Sequence, residues 1–306
     1  MAVRPWRCDC LPALDIHRSS MFSICTMTYG DYPELIGRTL DSLKAVILGD
    51  HQSDAHVKDV RIGLNEVSDA SFQRVMNWAG RVGRHCPVFV YHPTDNANVG
   101  KYPLMRRMFQ ESPSVFKESE FVMWLDDDSY FDLGESSQDW WGHVNRCLED
   151  HTLVGLIHYI RSRGNQHAGI KEQPWYNGQP VERAHKFKFA TGAWWAAHSS
   201  FLEKWDYPFT EVYHNGGDSI LGELCRQQEA SICDMKSVAQ CHAKCCYKGM
   251  DRDRVVHVNV GGRAGRRGLG QKAADEVYPW MLHSTGKVSY SKHNFDLKVY
   301  RFDEVH

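Results

Sequence analysis

Glu120-Phe121-Val122-Met123-Trp124-Leu125-Asp126-Asp127-Asp128 is the stretch that decides the fold. Its apolar run has the length of a strand and ends on three consecutive carboxylates. A short strand that is apolar throughout is covered on both faces. Working back from it, three more strands are predicted: Met21 to Thr28, His56 to Leu64 and Pro87 to Tyr91. Helical segments lie between them. After the loop Tyr29-Gly30-Asp31-Tyr32-Pro33, residues Leu35, Ile36, Leu40, Leu43 and Val46 recur at helical spacing. Ser71 to Trp78 and Pro103 to Gln110 are predicted helical in the same way. Strand and helix in alternation predict a parallel sheet with helices on both faces. Ligands in such sheets sit beyond the carboxyl ends of the strands. Thr28-Tyr29, Asn65-Glu66 and Asp126 to Asp128 all fall there.

Downstream of the triplet the pattern changes. Leu153 to Ile160 is a strand, and the polar residues 161–186, with glycines and prolines, are a long loop. Phe187 to Ala197 is a strand broken near Gly192. Trp194 and Trp195 within it point to opposite faces. Ser199 to Trp205 is a short helix. Gly216-Gly217-Asp218 opens another, carrying Ile220, Leu221, Leu224 and Cys225, with Asp218 suited to its N-cap. Residues 1–20 and 273–306 are expected as extensions.

With 306 residues, 42% of them apolar and 24% charged, the chain can bury a core without a disulfide scaffold. Lys plus Arg is 36 against 38 Asp plus Glu, a net charge of −2, which excludes a globally basic nucleic-acid coat protein. No run of apolar residues is long enough to span a bilayer, so no integral membrane contact is expected. Met1 to Ser20 lacks the apolar stretch of a secretory signal. Ten scattered cysteines fit free thiols in a reducing compartment, so the expected location is cytoplasmic, the host cytoplasm for a viral chain. Cys241-His242-Ala-Lys-Cys245-Cys246 invites a zinc reading, but no second closely spaced pair completes it.

Three adjacent carboxylates repel one another. A divalent cation relieves that repulsion, and a hard oxygen set with open positions suits Mn²⁺ or Mg²⁺ with diphosphate oxygens completing the shell. Of Asp126 and Asp128, one can hold metal while the other takes a ribose hydroxyl. A solvated acidic turn is the alternative.

Phe121 to Phe131 resembles the D-x-D region of GT-A-fold glycosyltransferases. Ser23-Ile-Cys-Thr-Met-Thr-Tyr-Gly30 resembles their first strand and nucleotide-binding loop. Phe189-Ala-Thr-Gly-Ala-Trp-Trp195 is similar to the strand flooring the donor and acceptor site. His214-Asn-Gly-Gly-Asp-Ser-Ile-Leu-Gly-Glu223 resembles the late acidic motif of inverting, family-two-like members. The resemblance spans residues 21–270. It implies an α/β fold of GT-A (Rossmann-like) type: a mixed sheet flanked by helices, with a nucleotide-sugar-binding half at 21–130 and an acceptor-binding, catalytic half at 131–272. It further implies metal-dependent, inverting sugar transfer from a nucleotide donor, UDP-linked by family analogy.

Residue by residue, the resemblance makes Thr26, Thr28 and Tyr29 base-binding, Tyr29 by stacking, and gives Asn65 the uracil edge. Asp126 and Asp127 belong to the donor site. Asp128 and Asp126 are metal ligands, with His257 the expected third and His242 its competitor. Asp218 is the catalytic base. Gly217 and Gly192 let backbone approach the sugar, and one of Trp194 and Trp195 can stack on it. Lys101 or Arg106, at a helix start, can meet phosphate; surface ion pairing is the alternative. Arg266 and Arg267, in a glycine-rich basic stretch, can close over a diphosphate or touch a nucleic-acid acceptor. The acceptor is open: a hydroxymethylated DNA base or a saccharide. The rival function is metal-dependent phosphoryl transfer or nuclease chemistry on the Asp126 to Asp128 cluster.

Overall fold

A computed structural model describes residues 20–48, 55–127, 129–131, 137–160, 170–181, 187–210, 212, 217–234, 255–257 and 294–303. In chain order the elements are β1 (Ser20–Gly30), α1 (Pro33–Leu48), β2 (Ala55–Val67), α2 (Asp69–Val82), β3 (Val88–Pro93), α3 (Lys101–Gln110), α4 (Val115–Glu118), β4 (Phe121–Asp126), β5 (Ser129–Phe131), α5 (Ser137–Asp150), β6 (Leu153–Ile160), β7 (Phe187–His198), α6 (Ser199–Lys204), α7 (Gly217–Gln227), β8 (Ile232–Asp234), β9 (Val255–His257) and β10 (Leu297–Phe302).

Eight strands form one mixed sheet in the order β10-β3-β2-β1-β4-β7-β6-β8, and β5 pairs with β9 in a separate ribbon. β3, β2, β1 and β4 run parallel. β7 enters antiparallel to β4 and β6, and β10 closes the other edge antiparallel to β3. The α/β class and the mixed sheet match the expectation. The stretch expected as a C-terminal extension instead supplies an edge strand of the main sheet.

Alternation along the central strands sorts side chains into two cores. Phe22, Ile24, Ile62, Met123 and Leu125 pack with Ile36, Leu40 and Leu43 of α1, Trp78 of α2 and Trp141 of α5. Cys25, Met27, Val122 and Trp124 pack with Leu104, Met105 and Met108 of α3 and with Ile220, Leu221 and Leu224 of α7. The sheet is thus buried on both faces, as its apolar central strands require. Among the described residues no helix is long and apolar enough to cross a membrane.

β7 is continuous rather than broken. What fails near Gly192 is its pairing: Gly155 of β6 faces Trp195, while Ile157 faces Ala190. Residues 191–194 therefore bulge, and a bulge re-aims backbone groups away from the ladder.

Candidate active site at the carboxyl ends of β1, β4 and β7

Asp126 closes β4, opposite Met27 of β1. Trp124, two residues earlier and so on the same face, donates its indole N–H to Asp126 Oδ1 at 2.8 Å. Lys101, the first residue of α3, puts Nζ 2.5 Å from the same oxygen. The ammonium lies 5.1 Å from the Trp124 ring centroid and 5.6 Å from that of Tyr102. The two charged side chains are 13% and 24% exposed, so the pair is held in reduced contact with water. A charge-assisted bond there is stronger than one at an open surface.

Asp126 Oδ2 faces the β7 bulge. A Cβ at Gly192 would stand 3.1 Å from that oxygen and 2.9 Å from Lys101 Nζ, so β7 approaches this closely only with a bare backbone. The freed N–H of Gly192 donates to Asp218 Oδ2 at 3.1 Å. Asp218 Oδ1 accepts from the N–H of Ser219 at 2.8 Å, and the N–H of Asp218 donates to Tyr102 Oη at 3.0 Å. Gly217 lies against the Tyr102 ring, where a Cβ would overlap ring atoms. Asp218 is the second residue of α7 and bonds across to β7, so the expected N-cap role is replaced by a tertiary contact. Five expected residues, Lys101, Asp126, Gly192, Gly217 and Asp218, thus meet around one point. Tyr102 and Trp124, which complete the cluster, carried no separate signal beyond an aromatic beside a predicted site residue.

Asp127 turns to the other side of β4. Its Oδ2 accepts from the N–H of Tyr29 at 3.1 Å, and its carbonyl lies 2.9 Å from Thr39 Oγ1. It is 6% exposed and pins the end of β4 to β1 and α1. Tyr29 is half-buried, and its hydroxyl donates to Glu66 Oε2 at 3.1 Å. Burial first, and then the Glu66 carboxylate, push its phenol up to about 12.

Several expected contacts turn inward. Asn65 is fully buried: Oδ1 accepts from the N–H of Val99 at 2.9 Å and Nδ2 donates to Asn98 Oδ1 at 3.0 Å. It braces the loop that delivers Lys101 and does not face outward to a base. Thr26 and Thr28 are 0% and 2% exposed, Thr28 leaning on the Gly63 carbonyl. Arg106 is bound to Asp206 through both carboxylate oxygens at 2.8 Å and to the carbonyls of Asp206 and Pro208. Its cation is committed within the protein, which is the surface-pairing alternative. Trp194 and Trp195 do face opposite sides, but both are core, 0% and 1% exposed, because a central strand is covered on both faces. Neither indole offers a face for a sugar.

Asp128, Gly216, His242, Arg266 and Arg267 lie outside the described residues. His257 is described as backbone, paired with Ser129 in the β5–β9 ribbon. Among the described residues no group of three His, Cys, Asp or Glu side chains converges as a ready metal cage. Asp126 Oδ2, a hard oxygen aimed at the bulge, fits one position of a Mn²⁺ or Mg²⁺ shell.

No protein-family model matches the sequence, and no curated protein matches it. Many solved structures are similar, three of them as follows. Mannosyltransferase PcManGT from Pyrobaculum calidifontis, in complex with GDP-Man and Mn²⁺, is 15% identical at a TM-score of 0.48, over 76% of this chain and 58% of that one. TarS of S. aureus is 15% identical at 0.40, over 70% and 35%. Glucosyl-3-phosphoglycerate synthase from Mycobacterium tuberculosis, with Mn²⁺, UDP and phosphoglyceric acid, is 12% identical at 0.39, over 70% and 68%. The chain thus spans 58% and 35% of the length of the first two. These are distant likenesses, and the site's own residues carry the functional reading.

Proposed function

We propose that the protein transfers a glycosyl group from a nucleoside-diphosphate sugar, UDP-linked, to an acceptor hydroxyl with inversion at the anomeric carbon. One observation carries this reading. The carboxylates of Asp126 and Asp218, from distant parts of the chain, meet on either side of the bare backbone of Gly192, with the Lys101 ammonium beside them.

That arrangement supports a division of labour. Asp218, oriented by two N–H donors, takes the proton of the acceptor hydroxyl as its oxygen attacks the anomeric carbon. The bond from that carbon to the diphosphate oxygen breaks on the opposite face, which gives inversion. Lys101, held between Trp124 and Tyr102, supplies positive charge near the departing diphosphate. Gly192 lets the strand backbone come close to both the Lys101 ammonium and the Asp126 carboxylate.

Asp126, Asp128 and His257 are the residues that would hold Mn²⁺ or Mg²⁺. The β5–β9 register supports His257 over His242, because it sets residue 257 opposite Ser129, next to Asp128. When bound, the cation supplies counter-charge to the leaving diphosphate. Tyr29, with Glu66, is the remaining partner for the base, and Arg266 and Arg267 are further partners for the diphosphate. The acceptor is a hydroxymethylated DNA base or a saccharide.

The test is nucleoside diphosphate release from UDP-sugars with Mn²⁺ across a panel of such acceptors. Release with an inverted product supports the reading, and Asp218→Asn should lower the rate about 10²–10⁴-fold with the fold retained. Cleavage of nucleic acid with no diphosphate release would instead establish phosphoryl-transfer chemistry.

A further inference from the structure

Away from the active site, α5 and the edge strand β8 bring two thiols together. Cys147, near the end of α5, and Cys233, the middle residue of β8, have their sulfurs 2.7 Å apart. That is within about 0.7 Å of a disulfide bond length. Both are nearly buried, 8% and 9% exposed, in the core on the α1 and α5 side of the sheet.

The backbone around them is already fixed in this approach. Cys233 pairs with Val154 of β6. The N–H of Thr152 donates to the Ser231 carbonyl at 3.0 Å, and Ser231 Oγ donates to the Asp150 carbonyl at 3.3 Å. At the other end of β8, Asp234 Oδ1 accepts from the N–H of Ile157 at 3.4 Å. The two sulfurs therefore meet without any element having to move. The described cysteines are free thiols, as the sequence leads one to expect, but scattered positions in sequence do not reveal which of them the fold makes neighbours.

We propose that Cys147 and Cys233 are a peroxide-oxidisable pair whose disulfide reversibly staples β8 to α5. The Cys147 thiolate attacks one oxygen of hydrogen peroxide, the O–O bond breaks, and with one proton the products are Cys147 sulfenic acid and water. The Cys233 sulfur then attacks the Cys147 sulfur. The S–O bond breaks, the S–S bond forms, and a second water leaves carrying the Cys233 proton. Two thiols and one peroxide give one disulfide and two waters, so the two electrons lost by sulfur reduce the peroxide. Cys147 takes the first role because it accepts the Cys233 S–H, a contact that favours its thiolate. A small oxidant suits a site this enclosed. A low-molecular-weight disulfide would have to fit a bulky mixed intermediate into the core.

The experiment is peptide mapping of the full chain after peroxide treatment in the folded state, with free thiols alkylated before digestion. A linked pair containing Cys147 and Cys233, lost again on reduction with dithiothreitol, is the expected result. It should come with a rise in the thermal midpoint on the order of 5 °C. In Cys233→Ala, Cys147 should instead be trapped as sulfenic acid by a dimedone probe. Recovery of both cysteines as free, alkylated thiols from oxidised wild-type protein would overturn the proposal. So would linkage of either one to a different cysteine. The wild-type mapping decides the matter even if a variant folds poorly, and it is independent of the transferase reading.

Discussion

At Gly192 a single methyl group separates a site from a collision. Its Cβ would meet Lys101 Nζ at 2.9 Å and Asp126 Oδ2 at 3.1 Å. Lysine can swing aside, but the carboxylate is tethered by the Trp124 indole. Gly192→Ala should therefore lower turnover about tenfold or more while the thermal midpoint stays close to wild type, because the change touches the cluster and not the core. Lys101→Met tests the ammonium. It leaves Asp126 with one donor, and it should raise the donor KM more than it lowers kcat if the charge meets diphosphate in the ground state. Tyr29 adds a pH effect. Its phenol is raised from 10.0 to about 12, so folding favours the neutral form. That contribution is whole below pH 10 and is lost as pH rises from 10 to 12, since the unfolded chain gives up the proton first. Tyr29→Phe should remove this part of the alkaline loss of thermal midpoint. The carboxylates of the site were legible in the sequence because an apolar strand running into acids admits few readings. Asn65, Arg106 and the two tryptophans were not, because residue type at a strand end does not say whether the side chain turns outward or in. Asn65 turns in to hold the backbone of Val99, and the indoles turn into two cores.

Among the elements, β2 carries the most consequential internal charge. Arg61 is fully buried and donates to Asp59 at 3.0 Å, to the Tyr91 hydroxyl at 3.1 Å and to the carbonyls of Met108 and Pro113 at 2.8 and 2.6 Å. It thereby joins β2 to β3, to α3 and to the segment that follows α3. Burial works against its charge, but Asp59 and Tyr91 outweigh that and hold the guanidinium ionised. Arg61→Met should destabilise the protein by about 3–5 kcal/mol, because it strands the Asp59 carboxylate. Replacing Asp59 and Arg61 together by apolar residues should be far milder, as a double-mutant comparison of urea midpoints would show. Element detection from sequence followed the length of the signal. β1 to β4, α1 to α3 and α7 have full apolar or periodic patterns, and their predicted bounds lie close to the observed ones. β5, β8 and β9 have three residues each, too few for a period to declare itself. β10 is an edge strand, with Lys298 and Val299 outward, and resembles a polar tail. α5 does carry a helical signal, with Trp141, Val144, Cys147 and Leu148 recurring on its buried side.

In the whole molecule, four parallel strands end together and the antiparallel β7 crosses beside them. That change of direction makes the site. A parallel neighbour at β4 would carry its chain away through a helix, whereas β7 passes its bulge directly over the end of β4 and hands Gly192 to Asp218. Sequence alternation predicted the parallel half. The pairing of β7 with β4, and the return of β10 to the far edge, depend on contacts between distant segments that no local pattern encodes. The most direct test is calorimetric titration of UDP, with and without Mn²⁺, into the wild-type protein and Asp126→Ala. Metal-dependent binding to wild type, weakened by about tenfold or more (1.4 kcal/mol) in the variant, is the predicted result. Equal affinity in the two proteins, or no nucleotide binding by wild type with metal present, would contradict a donor site at the end of β4.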